Sequence, residues 1–383
     1  MMSLRSWARR LMHLGAAILV AAYIWRISGG AKSVEMELLP DAAAVQGSAM
    51  ADAYYGKMPF SMGRKPFGRE IWLKSFRIEE YPDGSPSAYL SEIWVDRERT
   101  EIGVNRPWRK GCDFILQSSW FEVPDMRGGT FKGSVLTAMR DRTWPLALAG
   151  FAFLLLGAWL YAALPLRRRC HPQGSAPVLS MATVFAMGLA ATVMAVIYTW
   201  RTGHVPLADV KGFLLVSAAA LPFVALSSRR MEGKGFGVAD FMLEAVLLAG
   251  AVAMKGRTGG LPPALQSPFF VPHVGAYIFG YVILARSALN GLAALVPLGF
   301  AFITTGMALG SMWGEICWGA WWSFDPKETW SLVTWLVFAA LFHVPREGLM
   351  ARAILWAGFA LVVLTLLWVN FSRLFAGLHS YAG

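Results

Sequence analysis

Nine apolar stretches of the chain alternate with polar segments that carry many of its basic residues. An apolar run of about 20 residues is long enough to cross a bilayer as a helix. We interpret the nine stretches as membrane-spanning helices, of which the fourth, sixth and eighth are short. Their predicted bounds are 7–27, 144–166, 179–200, 212–226, 238–254, 273–285, 292–312, 330–343 and 353–370.

The one long polar section, residues 28–143, has a different pattern. Apolar and polar residues alternate in "SFRIEEY", "SAYLSEIWVD", "TEIGVN" and "CDFILQSSWFEV", which is typical of half-buried strands. Turn-forming stretches such as "YPDGSP" separate these runs. The pattern therefore predicts a polytopic α-helical membrane protein with about nine transmembrane helices and one extracytoplasmic, mostly-β domain.

Composition supports a membrane protein, because 56% of the residues are hydrophobic and 15% are charged. Soluble domains usually carry about a quarter charged residues. The net charge of +11 does not indicate nucleic-acid binding, since the basic residues lie between apolar runs, as membrane topology requires. The chain is therefore predicted to contact membrane lipid.

The positions of the basic residues also predict an orientation. With nine spans, the basic groups around the first span and after the second, fourth, sixth and eighth all fall on one side, which is then cytoplasmic. We therefore predict a multi-pass protein of a bacterial inner (cytoplasmic) membrane, with a cytoplasmic N-terminus and an extracytoplasmic C-terminus. The orienting residues are Arg5, Arg9, Arg10, Arg167, Arg168, Arg169, Arg229, Arg230, Lys234, Arg286, Arg346 and Arg352.

The three cysteines, Cys112, Cys170 and Cys317, exclude two function classes. The sequence contains neither a CxxC pair nor a CxxCH motif. The chain is therefore neither a dithiol oxidoreductase by motif nor a c-type cytochrome itself.

Four histidines fall into two groups by depth. His13 and His343 lie near the cytoplasmic ends of the first and eighth predicted spans, whereas His273 and His379 flank the tryptophan-rich segment, residues 313–328, on the outer side. Imidazole is a common axial ligand of haem iron, and ionisable residues within membranes are usually functional. Two histidines on separate elements at one depth can hold an iron porphyrin between them.

The tryptophan-rich segment offers flat aromatic faces for such a porphyrin. Interfacial tryptophans can also be ordinary membrane anchors, and a histidine at a helix end can be an interfacial residue. Asp325, Pro326 and Glu328 resemble a helix start, and Lys327 can pair with a haem propionate or lie at the interface. The candidate haem-platform residues are Trp313, Trp318, Gly319, Trp321, Trp322, Phe324, Asp325, Pro326 and Lys327.

Several stretches resemble a known family of haem-handling proteins. "WGAWWSFDPKETWSLVTWLVFAALFH" is similar to its tryptophan-rich WWD signature, and "VNFSRLFAGLHSYAG" resembles the end of its CcsA branch. "HLGAAILVAAYIW" and "IGVNRPWRKGCDFILQSSW" resemble the ResB partner. This order resembles fused ResB/CcsA-type (CcsBA, System II) cytochrome c synthetases. Phe324 stands where that family usually has tryptophan, and by this resemblance the chain is expected to start at the third ResB-like span, without the first two.

The resemblance implies a division of the chain and a set of ligands. Residues 1–27 would be a ResB-like first transmembrane helix, 28–143 the β-rich domain, 144–166 the second helix, and 167–383 a CcsA-like haem-handling domain. His273 and His379 match the external axial ligands of haem iron, and His13 and His343 match the transmembrane pair. Haem b would be both substrate and bound ligand.

The resemblance also implies a function in cytochrome c biogenesis. Haem would enter between the inner histidines, pass to the outer face, and become attached by thioether bonds to a CxxCH apocytochrome c. The chain would act as a holocytochrome c synthase, alone or with an additional ResB-like subunit and a thioredoxin-like thiol reductant, and none of its residues would be a covalent nucleophile. The alternatives are a haem exporter or delivery protein without synthase activity, and a b-type haem electron-transfer membrane protein.

Overall fold

The computed structural model describes residues 4–40, 66–124, 129–164, 178–232, 237–291, 293–345 and 348–368. Within these ranges, an α-helix occupies each of the nine apolar stretches. The helices are α1 Leu4–Trp25, α2 Trp144–Ala163, α3 Val178–Thr202, α4 Val210–Glu232, α5 Val238–Ala253, α6 Phe270–Asn290, α7 Val296–Trp318, α8 Pro326–Ala340 and α9 Leu349–Val363. Short 3₁₀ turns lie at Pro66–Gly68, Pro263–Leu265 and Ala293–Leu295, and π turns at Arg26–Gly30 and Leu364–Trp368.

Six helical segments among the described residues are long and apolar enough to cross a membrane, so the chain is a multi-pass membrane protein. The other three helices are α5, α6 and α8. Helices α5 and α8 have only 16 and 15 residues, and the 21-residue α6 includes a histidine, two tyrosines and an arginine. The six segments are Leu4–Gly30, Trp144–Ala163, Met181–Thr202, Val210–Ser228, Val296–Trp318 and Leu349–Leu366.

Helix α8 begins at Pro326, before the start predicted at residue 330, because the first turn of the helix is made of polar residues outside the apolar run. Asp325 is the N-cap and its side chain accepts a hydrogen bond from Lys327 N, while Pro326 takes the first helical position. The helix ends at Ala340, so His343 lies just beyond it, with its backbone N–H donating to the Ala340 carbonyl at 3.0 Å.

Seven antiparallel strands lie among the described residues of the β-rich section. One sheet has the order β1-β7-β6-β5 and the other β2-β3-β4. Strands β2, β3, β4 and β6 lie at the four alternating runs, whereas β1, β5 and β7 were not predicted. The strands are β1 Ala31–Leu38, β2 Ile71–Glu80, β3 Pro86–Val95, β4 Glu98–Gly103, β5 Trp108–Lys110, β6 Asp113–Pro124 and β7 Thr130–Asp141.

The β domain is continuous with α1 and α2. Strand β1 follows α1 through the π turn, β7 leads into α2, and the two strands pair from Ala31 opposite Asp141. A shared apolar core joins the two sheets, and the side chains of this core come from β1, β2, β3, β4, β6 and β7. The buried residues are Met36, Leu38, Ile71, Leu73, Ile93, Val95, Ile102, Ile115, Leu136 and Ala138.

Glycines allow α1 and α2 to approach closely. A Cβ atom on Gly15 would lie 2.6 Å from Leu154 N and 2.7 Å from the Gly150 carbonyl oxygen. On Gly157 it would lie 2.7 Å from the Ala8 carbonyl oxygen. Small residues at such interfaces are typical of membrane helices, where close packing replaces the hydrophobic effect as the driving force.

Gly15→Ala is expected to destabilise the helix pair, because the added methyl group meets backbone atoms that cannot rotate away. We expect a cost of about 1–3 kcal/mol, seen as a lower melting temperature of the purified protein in detergent. Gly275→Ala is the matched control, since a Cβ there meets nothing within 4 Å. Equal melting temperatures for the two variants would contradict this packing.

A buried ion pair joins α5 and α6. Arg286, predicted as a basic residue flanking the sixth span, instead has a fully buried side chain within α6. Its Nε donates to Asp240 Oδ1 at 2.7 Å, and its Nη1 donates to Ser228 Oγ on α4. Asp240 and Glu244 are both fully buried, so this face of α5 points into the bundle. Burial therefore makes Arg286 a partner of Asp240 rather than a surface charge.

Candidate functional site

A cavity of about 400 Å³ lies among α4, α5, α6, α7, α8 and α9. Most of its lining side chains are apolar, and a few polar groups converge at the end formed by α6, α7 and α8. Mostly apolar cavities with a few placed polar groups are typical of ligand sites. Three of the candidate platform residues, Trp313, Trp322 and Lys327, line it together with His273.

His273 is held in one orientation by α7. Its Nδ1 lies 2.8 Å from the carbonyl oxygen of Gly306, and a carbonyl can only accept, so Nδ1 carries the proton and Nε2 the lone pair. The ring packs edge-on against Tyr277 at 5.2 Å and Trp313 at 5.7 Å between centroids. Gly310 leaves room for it, since a Cβ there would lie 2.6 Å from His273 Cε1.

Three aromatic rings pack against one another around the end of α7, one pair edge to face and the other tilted. Trp313 is only 2% exposed and lies between Phe270 and Trp318, with centroid distances of 5.7 and 5.6 Å. Trp318 therefore supports Trp313 without lining the cavity itself. This rigid cluster presents a flat aromatic wall beside His273.

Trp321 and Phe324 lie elsewhere. Trp321 is buried against Tyr23 of α1 and Phe151 of α2, at 5.9 and 6.3 Å between ring centroids. Phe324 has a positive φ of 57°, is exposed, and contacts Tyr23 at 5.2 Å. These two rings attach the tryptophan-rich segment to α1 and α2, and neither lines the cavity.

The remaining residues of the segment shape its backbone. Gly319 ends α7 in the left-handed conformation, with φ of 71°, and its N–H donates to the Glu315 carbonyl at 3.1 Å. Glu328 Oε2 accepts from the N–H groups of Ser323 and Asp325 at 2.8 and 3.3 Å. The helix start expected at Asp325, Pro326 and Glu328 is therefore confirmed, and it turns Lys327 towards the cavity.

The second predicted pair meets in the structure. The rings of His13 and His343 lie 5.3 Å apart with an angle of 63° between them. His13 Nδ1 lies 2.7 Å from the Arg9 carbonyl oxygen, which places its lone pair on Nε2, as in His273. Both residues are exposed.

Three further histidines are His379, His171 and His204. His379 and His171 lie outside the described residues, so the predicted partnership of His273 with His379 stays a prediction. His204 lies in the connection between α3 and α4, but it is buried, with Nδ1 3.0 Å from the Val205 carbonyl oxygen and its ring against Tyr198. His204 is therefore a buried residue of this connection.

Sequence reasoning missed most of the cavity wall. Phe213 of α4, Leu243 of α5, Tyr277 of α6 and Phe359 of α9 line it, and no local motif marks them. It also missed Glu315, which is fully buried near the end of α7. The signal for Glu315 was available, because an ionisable residue inside an apolar run is unusual.

Comparisons with known proteins find similarity to one group of proteins. Residues 290–379 match a family model described as cytochrome C assembly protein. The cytochrome c biogenesis protein CcsA of Chlamydomonas reinhardtii is 30% identical over 229 residues, which cover 49% of this chain and 64% of that protein. CcsA of Synechococcus sp. (strain CC9605) is 27% identical over 303 residues, covering 62% and 95%.

A shorter match has a higher sequence identity. CcsA of Gloeobacter violaceus is 45% identical over 102 residues, which cover 26% of this chain and 30% of that protein. The chain is a multi-pass membrane protein by its helices, and by these matches it is similar to proteins of cytochrome c biogenesis. Residues 290–379 are similar to the cytochrome C assembly family, and the longer matches are to CcsA proteins.

Proposed function

We propose that this chain binds haem b at two sites, moves it to the outer face of the membrane and supports its covalent attachment to CxxCH apocytochrome c. The observation that carries the proposal is the cavity bordered by His273, Trp313, Trp322 and Lys327. Cytochrome c is the substrate that the family suggests.

The cavity residues fit the chemistry of haem. Trp313 offers a flat apolar surface, and Lys327 supplies a positive charge for a propionate. His273 donates its Nδ1 proton to a backbone carbonyl, which is the arrangement that metal-ligating histidines usually have. In this proposal His273 would bind the haem iron through Nε2, together with His379.

The inner pair, His13 and His343, also fits the chemistry of haem. His13 also hydrogen-bonds a backbone carbonyl through Nδ1, and His343 lies on a different element at the same depth. Their rings now meet edge to face at 5.3 Å. His13 and His343 would together hold the haem iron, and entry of haem would separate the two rings.

Attachment requires only positioning and control of the iron. Each cysteine thiol adds across a haem vinyl group, so that a sulfur–carbon bond forms and the proton ends on the other vinyl carbon, without net oxidation. The chain would hold the vinyl groups against the CxxCH thiols and control the axial ligands. A thioredoxin-like reductant would keep the thiols reduced, and an additional ResB-like subunit is a second proposed partner.

The β domain and all nine helices have assigned places in this proposal. The fused ResB/CcsA-type arrangement puts the β domain outside a bacterial inner membrane, with α1 entering from the cytoplasm. All nine helices would then cross the membrane, and the short α5 and α8 would do so with the help of the turns beside them.

Co-expression with a CxxCH reporter tests the proposal. In cells that lack their own maturation system, the chain is expected to give a reporter that keeps its haem stain after denaturing electrophoresis, and the purified chain is expected to carry haem. A reporter with both cysteines replaced by alanine is the control and should not stain. Haem in the purified chain without a stained reporter would favour haem delivery over synthesis, and no haem at all would overturn the proposal.

A further inference from the structure

Arg26 joins three parts of the molecule. It lies in the π turn after α1, its Nη1 pairs with Asp141 at the end of β7, and the same nitrogen lies 3.7 Å from Glu315 Oε2 near the end of α7. Its Nη2 donates to the carbonyl oxygen of Gly319 at 2.5 Å. One guanidinium therefore bridges the β domain and the residue that begins the turn into the tryptophan-rich connection.

The charges at this junction are buried. The side chains of Asp141 and Glu315 are fully buried, and that of Arg26 is 13% exposed. A carboxylate in the last turn of a helix is unfavourable, because the helix dipole is negative there. Among the described residues neither oxygen of Glu315 has a hydrogen-bond partner, so Glu315 depends on the nearby Arg26 charge.

The backbone at Gly319 is also pressed against the β domain. A Cβ atom at this position would lie 2.5 Å from Leu116 Cδ1 of β6 and 3.1 Å from Met139 Cε of β7. The φ of 71° also disfavours any larger residue. The turn that leads to Trp321 and Trp322 is thus held by sheet side chains on one side and by Arg26 at its carbonyl.

We infer that Arg26 is a positioning residue through which the β domain holds the tryptophan-rich segment in place. Arg26 is not one of the described residues that line the cavity, and it acts through Gly319. The consequence for haem rests on the proposed function, but the positioning itself does not.

The geometry distinguishes positioning from simple charge balance. Arg26 uses Nη1 for the carboxylates and Nη2 for the Gly319 carbonyl. A lysine has one nitrogen and a different reach, so Arg26→Lys keeps the charge and loses the two-directional contact. Arg26→Ala loses both the charge and the two-directional contact.

Hydrogen–deuterium exchange of the purified full chain tests the inference. In Arg26→Ala, the amides of residues 319–325 are expected to exchange about tenfold faster, as fits the loss of a hydrogen bond to a charged group. Strand β7 should keep its protection. Arg26→Lys should recover the yield of folded protein but not the protection of 319–325. Arg142→Ala is the matched control, because Arg142 is an exposed arginine at the same junction.

The outcomes separate this inference from the proposed function. Exchange at 319–325 that is unchanged in Arg26→Ala, or fully restored in Arg26→Lys, would overturn the positioning role whatever the haem content. Should Arg26→Ala fail to fold, Arg26→Lys alone decides the matter. Faster exchange with an unchanged haem spectrum supports the positioning role and counts against the haem platform in the proposed function.

Discussion

His13→Gly is expected to remove haem from the inner pair and to lower cytochrome assembly by tenfold or more. The replacement deletes one of two rings that meet at 5.3 Å and leaves space about the size of an imidazole. Loss even of a group that orients a metal ligand costs about 10–100-fold in affinity, so loss of a ligand should cost at least that. Added imidazole is expected to restore part of the assembly, measured as stained CxxCH reporter.

The control for His13→Gly isolates the cost of glycine in a helix. Leu14→Gly makes the same backbone change at an exposed neighbour, with a helix cost of about 1 kcal/mol, and leaves His13 in place. It should assemble cytochrome normally, and imidazole should have no effect on it. Normal assembly by His13→Gly without imidazole would show that the inner site is wrong and would leave only the site at His273.

His273→Gly should differ in kind from His13→Gly. It removes the imidazole beside Trp313 but leaves His13 and His343 together. Haem should therefore remain detectable in the purified chain while attachment to the reporter fails. Identical haem spectra for the two variants would argue for one site rather than two.

Trp322→Ala is expected to lower haem content and reporter yield by about tenfold. Trp322 lines the cavity and packs edge-on against Phe324 at 6.1 Å between centroids. Its removal takes away an aromatic contact worth about 0.5–1.5 kcal/mol and also the apolar surface offered to haem, and a tenfold change is about 1.4 kcal/mol. Haem per chain, measured as the pyridine haemochrome, checks this.

Trp7→Ala is the comparison for this prediction. Trp7 lies on α1, is 53% exposed, and its ring lies 6.0 Å from the Arg10 guanidinium. Its loss removes an interfacial ring without touching the cavity, so haem content should stay near that of the unchanged chain. Equal losses in the two variants would mean that these tryptophans act only as membrane anchors.

Local sequence patterns predicted several elements of the fold. The apolar runs located the nine α-helices of the described ranges, and alternation located β2, β3, β4 and β6. Strand β1 exposes four consecutive positions, 32–35, and β7 buries four consecutive positions, 133–136, so neither shows the alternation of a half-buried strand. Strand β5, with three residues, is too short to have a period.

The sequence by itself determined the class of the protein and the residue types at its site. Apolar length fixes where helices form, and the basic flanks predict a direction for them, from which His13 and His343 are predicted to lie at one depth. Asp325, Pro326 and Glu328 start α8 through contacts within a few residues. Such features depend on neighbours in the chain, and they can therefore be read from it.

Only the tertiary structure decided which aromatic rings face the cavity and what holds them there. Trp322 lines the cavity, whereas the adjacent Trp321 packs against α1 and α2. Arg26, Asp141 and Glu315 meet although more than a hundred residues separate each from the next along the chain. Contacts of this kind depend on how helices and sheet pack in three dimensions, and no short pattern in the sequence encodes that packing.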